Sequence, residues 1–370
     1  MATTSFQLFY NSLKSSKTKY EYSRLLEDFK VWKQYNSIDQ LLVNPVKQDL
    51  IEYLMYLKDE RHLSSSSRSK SLAAMRHFYE MNDVVFPWIQ IAKFIGESEK
   101  EHVDRNYTNE EILKLVNAAD IKYKAIILLL ASSGMRVGAI PDLLYGNITK
   151  IKNTFKIIVY QKSKEEYYTF CTPEAHDAIN EYLDYRSRCG EKIKPEFPLF
   201  REDFDPDQPD KVRRPKKLAL PTVIGKIRSL LIRTGISEHH RLTEINRRGK
   251  RRNEVQTCHG FRKYAVSAMG KARLNLEIRK MLTGHSIGVE GAYLRYDIEE
   301  MFEEYTKAID LLTIDEANRL KKKVADLEKE TSEIQRLSKQ VKSLQQYQKK
   351  AEEIMSGAKE LLEVFKIFPH

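Results

Sequence analysis

The first hundred residues carry apolar side chains at a helical period. Within 19–35 these side chains recur at three- and four-residue steps, the spacing that one face of a helix requires. A second helix is predicted over 45–60, where proline stands near the start. A third is predicted over 64–81, whose first serines can cap a helix. The pattern predicts a helical N-terminal domain over residues 1–95.

The middle of the chain mixes helical and strand patterns. Residues 96–106 are polar without an apolar period, which predicts an interdomain linker. Thr108, with Glu111 three residues later, matches a capping box. β-Branched and aromatic residues in 155–160 and 167–171 predict a β-hairpin. Further helices are predicted at 173–188, 219–234, 257–271, 275–283 and 298–312.

The C-terminal residues 313–370 have a pattern typical of a coiled coil. Apolar residues recur there at three- and four-residue steps amid lysine and glutamate. Two successive three-residue steps, from Thr331 to Ile334 to Leu337, break the repeat. Such a helix could self-associate, bind a partner or fold back on the preceding domain, and the apolar pattern alone fits all three. The predicted fold class is mainly α with a small β-sheet: a helical N-terminal domain, an α+β domain over 107–312, and a long C-terminal helix.

The charge of the chain is concentrated in one segment. The net charge is +11 over 370 residues. Residues 211–280 hold 20 Lys and Arg against four acids, a net charge of +16, so the remainder sums to about −5. A basic segment of this kind is expected of a protein that binds the phosphate backbone of nucleic acid. For part of residues 247–252, a solvated basic loop is the alternative interpretation.

Cysteine usage and hydropathy indicate an intracellular setting. Cys171, Cys189 and Cys258 match neither a zinc site nor a disulfide framework, so a reducing compartment fits. No apolar run approaches the length that spans a bilayer, and the first residues lack the apolar core of a signal peptide. We therefore expect a cytoplasmic protein with no membrane anchor, and we expect neither a metal nor a cofactor.

Several basic side chains suit the cleavage of a phosphodiester without metal. Arg136 lies in the stretch SSGMRVGAI, and His259 and Arg262 lie in HGFR. Arginine grips phosphate through two parallel hydrogen bonds and keeps its charge. On a helix, His259 and Arg262 would face the same way because they are three residues apart. His285 lies in TGHS. Together these side chains can surround one phosphate.

A nucleophile and an acid complete the predicted site. Tyr293 follows His285 by eight residues, and its phenol can attack phosphorus to give a covalent phosphotyrosine. The departing 5′ oxygen needs a proton, which Lys164 on the predicted hairpin turn can supply. Each of these signals is weak alone. Their joint occurrence in this order, beside a basic segment, indicates DNA breaking and rejoining.

This arrangement resembles the tyrosine recombinases, the class similar to lambda integrase, over roughly residues 10–312. The resemblance implies that Arg136 is the first arginine of the family, that His259 and Arg262 form its HxxR motif, that His285 is its GH histidine and that Tyr293 is its nucleophile. It also implies double-stranded DNA as the partner and a tetramer on DNA. The stretch GMRVGAIP is most similar to archaeal or archaeal-virus integrases, which are proteins of mobile genetic elements.

Three departures from the family pattern leave alternatives open. The family often has an acid three residues after the first arginine, where this chain has Ala139, so the support of Arg136 must come from elsewhere. The spacing from histidine to tyrosine is one residue shorter than is common, which leaves Tyr296 as a second candidate nucleophile. The hairpin also offers Lys162 in place of Lys164.

Two other functions share parts of this pattern. A type IB topoisomerase would use nearly the same chemistry to relax supercoils without joining two sites. A non-catalytic DNA-binding protein descended from a recombinase would keep the basic segment but lack part of the residue set. The separate helical domain and the C-terminal helix favour recombination.

Overall fold

The computed structural model describes residues 4–97, 105–236, 255–286 and 296–367. The described chain divides into two compact units. The first comprises residues 4–97, and the second comprises the remaining described segments. Helices dominate, and a small sheet lies in the second unit, so the predicted fold class is confirmed.

The N-terminal unit is a bundle of helices around an aromatic core. Its predicted helices form, with bounds that shift by a few residues, and a preceding helix (α1) was missed by the sequence pattern. Ser64 accepts a hydrogen bond from the first turn of α4, as its serine-rich start predicts, and Ser15 caps α2 in the same way without having been predicted to do so. The helices are α1 (Ser5–Ser12), α2 (Ser16–Trp32), α3 (Lys47–Asp59), α4 (Ser65–Met81) and α5 (Trp88–Ala92), with 3₁₀ turns at Ile38–Leu42 and Lys93–Ile95.

The second unit is built around a helix that is buried on every side. The helices before the sheet are α6 (Asn109–Ala118) and α7 (Ile121–Ser133). The capping box of Thr108 and Glu111 at the start of α6 is confirmed. Nearly all of α7 is buried, which explains its continuous apolar run. It packs against the helix His259–Lys271, which carries His259 and Arg262.

The predicted hairpin is present and has a third strand. The strands β1 (Ile148–Ile151), β2 (Thr154–Val159) and β3 (Tyr167–Phe170) form an antiparallel sheet in sequence order. Val159 pairs with Tyr167, so the loop between β2 and β3 holds both candidate lysines. Two 3₁₀ turns, Val137–Asp142 and Tyr145–Asn147, connect α7 to the sheet.

The helices after the sheet are α8 (Pro173–Arg188), α9 (Pro209–Arg213), α10 (Leu220–Arg233), α11 (His259–Lys271) and α12 (Leu276–Leu282). Four of them, α8, α10, α11 and α12, match the predicted positions closely, whereas the short α9 was not predicted. The predicted helix over 298–312 is instead two helices, α13 (Ile298–Thr306) and α14 (Ile309–Leu312). That prediction was wrong at residues 307–308, where the chain turns to bury Ala308.

The apolar residues of α13 and α14, which include Phe302, Tyr305 and Ile309, form a stripe that packs within its own chain. The Tyr305 hydroxyl donates to the main-chain carbonyl of Ser132 at 3.1 Å and is fully buried. The ring of Phe302 packs edge-on against Phe170, with centroids 5.1 Å apart. This stripe therefore belongs to the core of the second unit.

The C-terminal residues form one long helix, α15 (Glu316–Ile367). The Glu174 carboxylate at the start of α8 accepts hydrogen bonds from the backbone N–H groups of Ile314 and Asp315, just before α15 begins. The apolar residues of the repeat are exposed to solvent: Leu320, Val324, Leu327, Ile334, Leu337, Val341 and Leu344. The predicted helix is confirmed, and its pairing as a coiled coil stays a prediction. Within the described residues, no helix is both long and apolar enough to cross a membrane.

Candidate active site

Arg136 lies directly after the sharp turn that ends α7. Gly134 caps that helix in the left-handed conformation, with φ +64°, and its N–H donates to Leu130. A side chain at this position would crowd Ala265, because a Cβ would lie 3.0 Å from the Ala265 Cβ. The exposed Arg136 side chain donates from Nη1 to the Gly284 carbonyl oxygen at 3.0 Å. The turn thus aims the guanidinium out of the core, toward the end of α12.

Arg262 reaches the same place from a different element. Helix α11 begins at His259 and carries Arg262 one turn later. The Arg262 side chain is buried, with 6% of the residue exposed. Its Nη1 donates to the carbonyl oxygen of Gly134 at 2.7 Å, and its Nη2 lies 3.0 Å from Nε2 of His285. Two residues far apart in sequence therefore meet at the α7 turn.

His285 follows a second left-handed glycine, Gly284, at the end of α12. Its Nδ1 lies 2.7 Å from the Thr283 hydroxyl, which also donates to a carbonyl of its own helix at 2.8 Å. With the hydroxyl proton used in this way, Nδ1–H donates to Thr283 and the Nε2 lone pair accepts from Arg262. This geometry fits a neutral ring. Desolvation and the charges of Arg262 and Arg136 lower the pKa of His285 in agreement.

Neither Arg136 nor Arg262 has an acidic partner among the described residues. Both guanidinium groups are held by neutral main-chain carbonyls. Burial and the neighbouring charge of Arg136 lower the pKa of Arg262, which shows that the two cations are close. His259 also lies near enough to lower the pKa of His285. Two uncompensated arginines beside two histidines form a site that attracts an anion such as phosphate.

Residues 105–289 match the model described as the phage integrase family, which is half of the chain. The chain belongs to the phage integrase family. The matched segment contains Arg136, His259, Arg262 and His285, so the charged cluster lies within the part of the chain that defines the family.

Curated relatives in this family are distant. The tyrosine recombinase XerC of Leptospira interrogans serogroup Icterohaemorrhagiae serovar copenhageni (strain Fiocruz L1-130) is 26% identical over 186 residues, 47% of this chain and 58% of that protein. The match therefore spans less than two thirds of the length of that relative. The tyrosine recombinase XerC of Caldanaerobacter subterraneus subsp. tengcongensis is 24% identical over 294 residues, 73% of this chain and 72% of that protein.

A solved structure shares the fold. The XerH site-specific recombinase, bound to its palindromic difH substrate, superposes with a TM-score of 0.54 at 16% identity. The superposition covers 82% of this chain and 84% of that one. At this identity the likeness shows a common fold, and the details of the site rest on the residues of this phage integrase family member itself.

The two candidate lysines lie in the exposed loop between β2 and β3. Lys162 has a left-handed backbone, with φ +64°, and its N–H donates to a Glu166 carboxylate oxygen at 2.6 Å. The side chains of Lys162 and Lys164 are both exposed. Among the described contacts, none joins either ammonium group to the arginine cluster. The choice of Lys164 over Lys162 therefore stays a prediction.

The two candidate nucleophiles differ in what the structure says of them. Tyr293 lies outside the described residues, and its role stays a prediction. Tyr296 is partly buried and packs against the core of the second unit, just before the Asp297 cap of α13. Such packing is typical of a structural tyrosine. The basic stretch 247–252 also lies outside the described residues.

Sequence reasoning missed the side chain that lines the cluster from the sheet. Tyr167, the first residue of β3, packs its ring on Gly284, and a Cβ on that glycine would lie 2.5 Å from the ring. Tyr160 at the end of β2 meets the Tyr167 ring at an angle, with centroids 6.4 Å apart. Their position in the sequence could have indicated them, because the two tyrosines flank the loop that holds the candidate lysines.

The support of Arg136, which the family often takes from an acid, has a different source here. Ala139 is buried and offers no polar group. The Gly284 carbonyl holds the Arg136 guanidinium instead, and the Gly134 carbonyl holds Arg262. Within the described residues, no group of three or more histidine, cysteine or acidic side chains could hold a metal ion.

Proposed function

We propose that this phage integrase family member is a site-specific DNA recombinase that breaks and rejoins strands through a 3′-phosphotyrosine intermediate. One observation carries the proposal: Arg136, Arg262 and His285, from three separate elements, converge, and no described acid compensates the positive charge of the two arginines. A scissile phosphate is the anion that this cluster fits best, because two guanidinium groups can bind both non-bridging oxygens.

The reaction follows from the charges. Arg136 and Arg262 bind the non-bridging oxygens and stabilise the negative charge that grows on them in the transition state. The phenol oxygen of Tyr293 forms a bond to phosphorus while the bond from phosphorus to the 5′ oxygen breaks. The phenol proton passes to His285, whose lowered pKa keeps it neutral and able to accept. Lys164 donates a proton to the departing 5′ oxygen.

The reverse reaction rejoins the strands without a cofactor. The phosphotyrosine bond keeps the energy of the broken linkage, so a 5′ hydroxyl from another strand can displace Tyr293. Lys164 then takes back the proton that it gave, and His285 returns its proton to the phenol. Exchange between two duplexes in this way is recombination.

Double-stranded DNA is the inferred partner. The basic segment 211–280 would neutralise phosphates, so binding would weaken steeply as salt rises. The XerH site-specific recombinase, which shares this fold, was solved bound to its palindromic difH substrate. The helical N-terminal unit would act as a core-binding domain. Exchange between two duplexes requires several protomers, so we infer a tetramer on DNA, to which the exposed repeat of α15 offers an additional contact surface.

Origin and location are inferred from the sequence alone. The resemblance of GMRVGAIP to archaeal and archaeal-virus integrases supports an archaeal mobile element as the source. A protein that acts on chromosomal or viral DNA would work in the cytoplasm, at the nucleoid.

Incubation with a nicked suicide DNA substrate tests the proposal. The nick lets the short 5′-hydroxyl strand diffuse away after cleavage, so the covalent adduct accumulates. We expect an adduct with the wild-type chain and none with Tyr293→Phe. Absence of any wild-type adduct on DNA that the protein binds would favour the non-catalytic alternative. Relaxation of a one-site supercoiled plasmid without joining of two-site DNA would favour a topoisomerase.

A further inference from the structure

Tyr167 is placed between the loop of the candidate lysines and the arginine cluster. It begins β3 directly after that loop. Its ring covers Gly284 so closely that a side chain there would overlap it. The carbonyl of the same glycine accepts the hydrogen bond from Arg136. The ring therefore fixes the peptide that orients one of the two guanidinium groups.

The hydroxyl of Tyr167 is in an unusual state for a buried polar group. Its oxygen is shielded from solvent and makes no hydrogen bond of good geometry, although the Arg262 guanidinium and the Arg136 backbone both lie within reach of it. Burial raises the pKa of Tyr167 to about 12, although Arg262 and Arg136 act in the opposite direction, so both cations lie near the phenol. A buried hydroxyl that makes no good hydrogen bond destabilises the folded protein, so its retention beside the site calls for a reason.

The neighbours of Arg262 supply that reason. In the free protein, Nη2 of Arg262 donates to the neutral His285 ring. If His285 takes the proton of the attacking phenol, its Nε2 ceases to be an acceptor, and Nη2 needs another one. The Tyr167 oxygen is the nearby neutral acceptor. A phenol also leaves the positive charge of the cluster intact for the phosphate, whereas a carboxylate would cancel part of it.

We propose that Tyr167 is a positioning residue of this site, and the inference rests on the proposed recombinase function. Its ring holds the Gly284 peptide that orients Arg136. Its hydroxyl accepts a hydrogen bond from the Arg262 guanidinium as His285 becomes protonated during cleavage. The residue thus keeps both arginines aimed at the scissile phosphate without touching the phosphate itself.

The test compares Tyr167→Phe with Tyr168→Phe on the suicide substrate. Tyr168 is the next residue of β3, and its ring faces Lys156, so it receives the same change on the other face of the strand. We expect Tyr167→Phe to slow adduct formation about 10- to 100-fold, the range for losing a hydrogen bond to a charged group. DNA affinity should be unchanged, and Tyr168→Phe should cleave like the wild type.

Two further readouts separate positioning from a merely structural role. The melting temperature of Tyr167→Phe should equal or exceed that of the wild type, because the removed hydroxyl makes no hydrogen bond of good geometry in the DNA-free protein. The second readout uses DNA in which a methyl group replaces one charged non-bridging oxygen of the scissile phosphate. The defect of Tyr167→Phe should largely disappear there, because less charge then needs the guanidinium groups.

The outcomes distinguish this inference from the proposed function. A wild-type adduct together with full-speed cleavage by Tyr167→Phe would overturn the inference alone. So would a defect of equal size on the charged and the neutral linkage. Failure of the wild-type chain to form any adduct would overturn the proposed function and this inference with it.

Discussion

The Nη1 atom of Arg262 lies 2.7 Å from the carbonyl oxygen of Gly134, two residues before Arg136 in the chain. One arginine is thereby attached to the turn that aims the other. A parallel link runs from Arg136 to the carbonyl of Gly284, next to His285. Each turn orients one member of the cluster and binds another, so a disturbance at either glycine moves the site as a unit.

Replacement of Arg262 by lysine tests whether the shape of the guanidinium matters beyond its charge. Lysine keeps the charge but cannot donate to Gly134 and to an oxyanion through one planar fork. We expect Arg262→Lys to form the adduct about 100- to 1000-fold more slowly, the usual cost of losing a donor to a developing oxyanion. Adduct formation on the suicide substrate, under single-turnover conditions, measures it.

The matched control is Arg336→Lys, which changes an arginine on α15 whose side chain is 71% exposed. It should cleave like the wild type. An equal loss in both variants, or full activity of Arg262→Lys, would contradict the role assigned to Arg262.

A change of the leaving group in the DNA tests which lysine is the general acid. We expect Lys164→Ala to slow cleavage about 100-fold or more, because the 5′ oxygen leaves poorly without a proton. Replacing that bridging oxygen by sulfur should restore the rate, because a thiolate leaves without protonation. The comparison variant is Lys162→Ala in the same loop. If the sulfur-substituted DNA restores the cleavage rate of Lys162→Ala and not that of Lys164→Ala, Lys162 is the general acid.

The turn at Gly284 should be intolerant of a side chain for two separable reasons. Its φ of +63° disfavours an L-residue, and an added Cβ would lie 2.5 Å from the Tyr167 ring. Gly235 has a similar φ of +70° but open space around it. We expect Gly235→Ala to cost about 1–2 kcal/mol of unfolding free energy, from backbone strain alone. Gly284→Ala should cost more and also slow cleavage.

Chemical denaturation and the suicide substrate together check this comparison. Equal destabilisation of the two variants, with cleavage preserved in Gly284→Ala, would show that the contact with Tyr167 does not shape the site.

The lowered pKa of His285 predicts a small dependence of stability on pH. The unfolded chain takes up a proton on this residue more readily than the folded chain does. The folded state therefore loses stability as pH falls below the unfolded value of about 6.5, and no loss arises above it. The effect should be small because His285 is an exposed residue.

Melting temperatures of the DNA-free protein between neutral and mildly acidic pH test this. His285→Asn should lose less stability than the wild type over that interval. His62→Asn, which changes an exposed histidine of the N-terminal unit, should follow the wild type. If the melting temperature of His285→Asn falls with pH as steeply as that of the wild type, the His285 ring does not cause the loss of stability.

Local patterns in the sequence predicted the elements well. The capping box at Thr108 and Glu111 fixed the start of α6, and strand-forming residues fixed β2 and β3. Strand β1 was missed because its four residues, ITKI, are too short and polar to show an alternating pattern. The turn at residues 307–308 was missed because the apolar period continues across it, and only the packing of Ala308 reveals it.

The site was predictable as a set of residues but not as a geometry. Residue type and order singled out Arg136, Arg262 and His285 as candidates, and the structure brings these three together, while their roles stay predictions. Their support could not be read from the sequence, because main-chain carbonyls carry no residue signature. Tyr167 was hidden for the same reason, since its role depends on a contact with Gly284, more than a hundred residues away.

The central claim is that this cluster serves attack by Tyr293 on a scissile phosphate. The most direct measurement is to trap the covalent complex on suicide DNA, digest it with protease and identify the residue that carries the nucleotide by mass spectrometry. The account predicts a modified Tyr293 in the wild type, and no adduct in Tyr293→Phe with DNA binding intact. A nucleotide on Tyr296 or another residue, or no adduct at all on bound DNA, would contradict it.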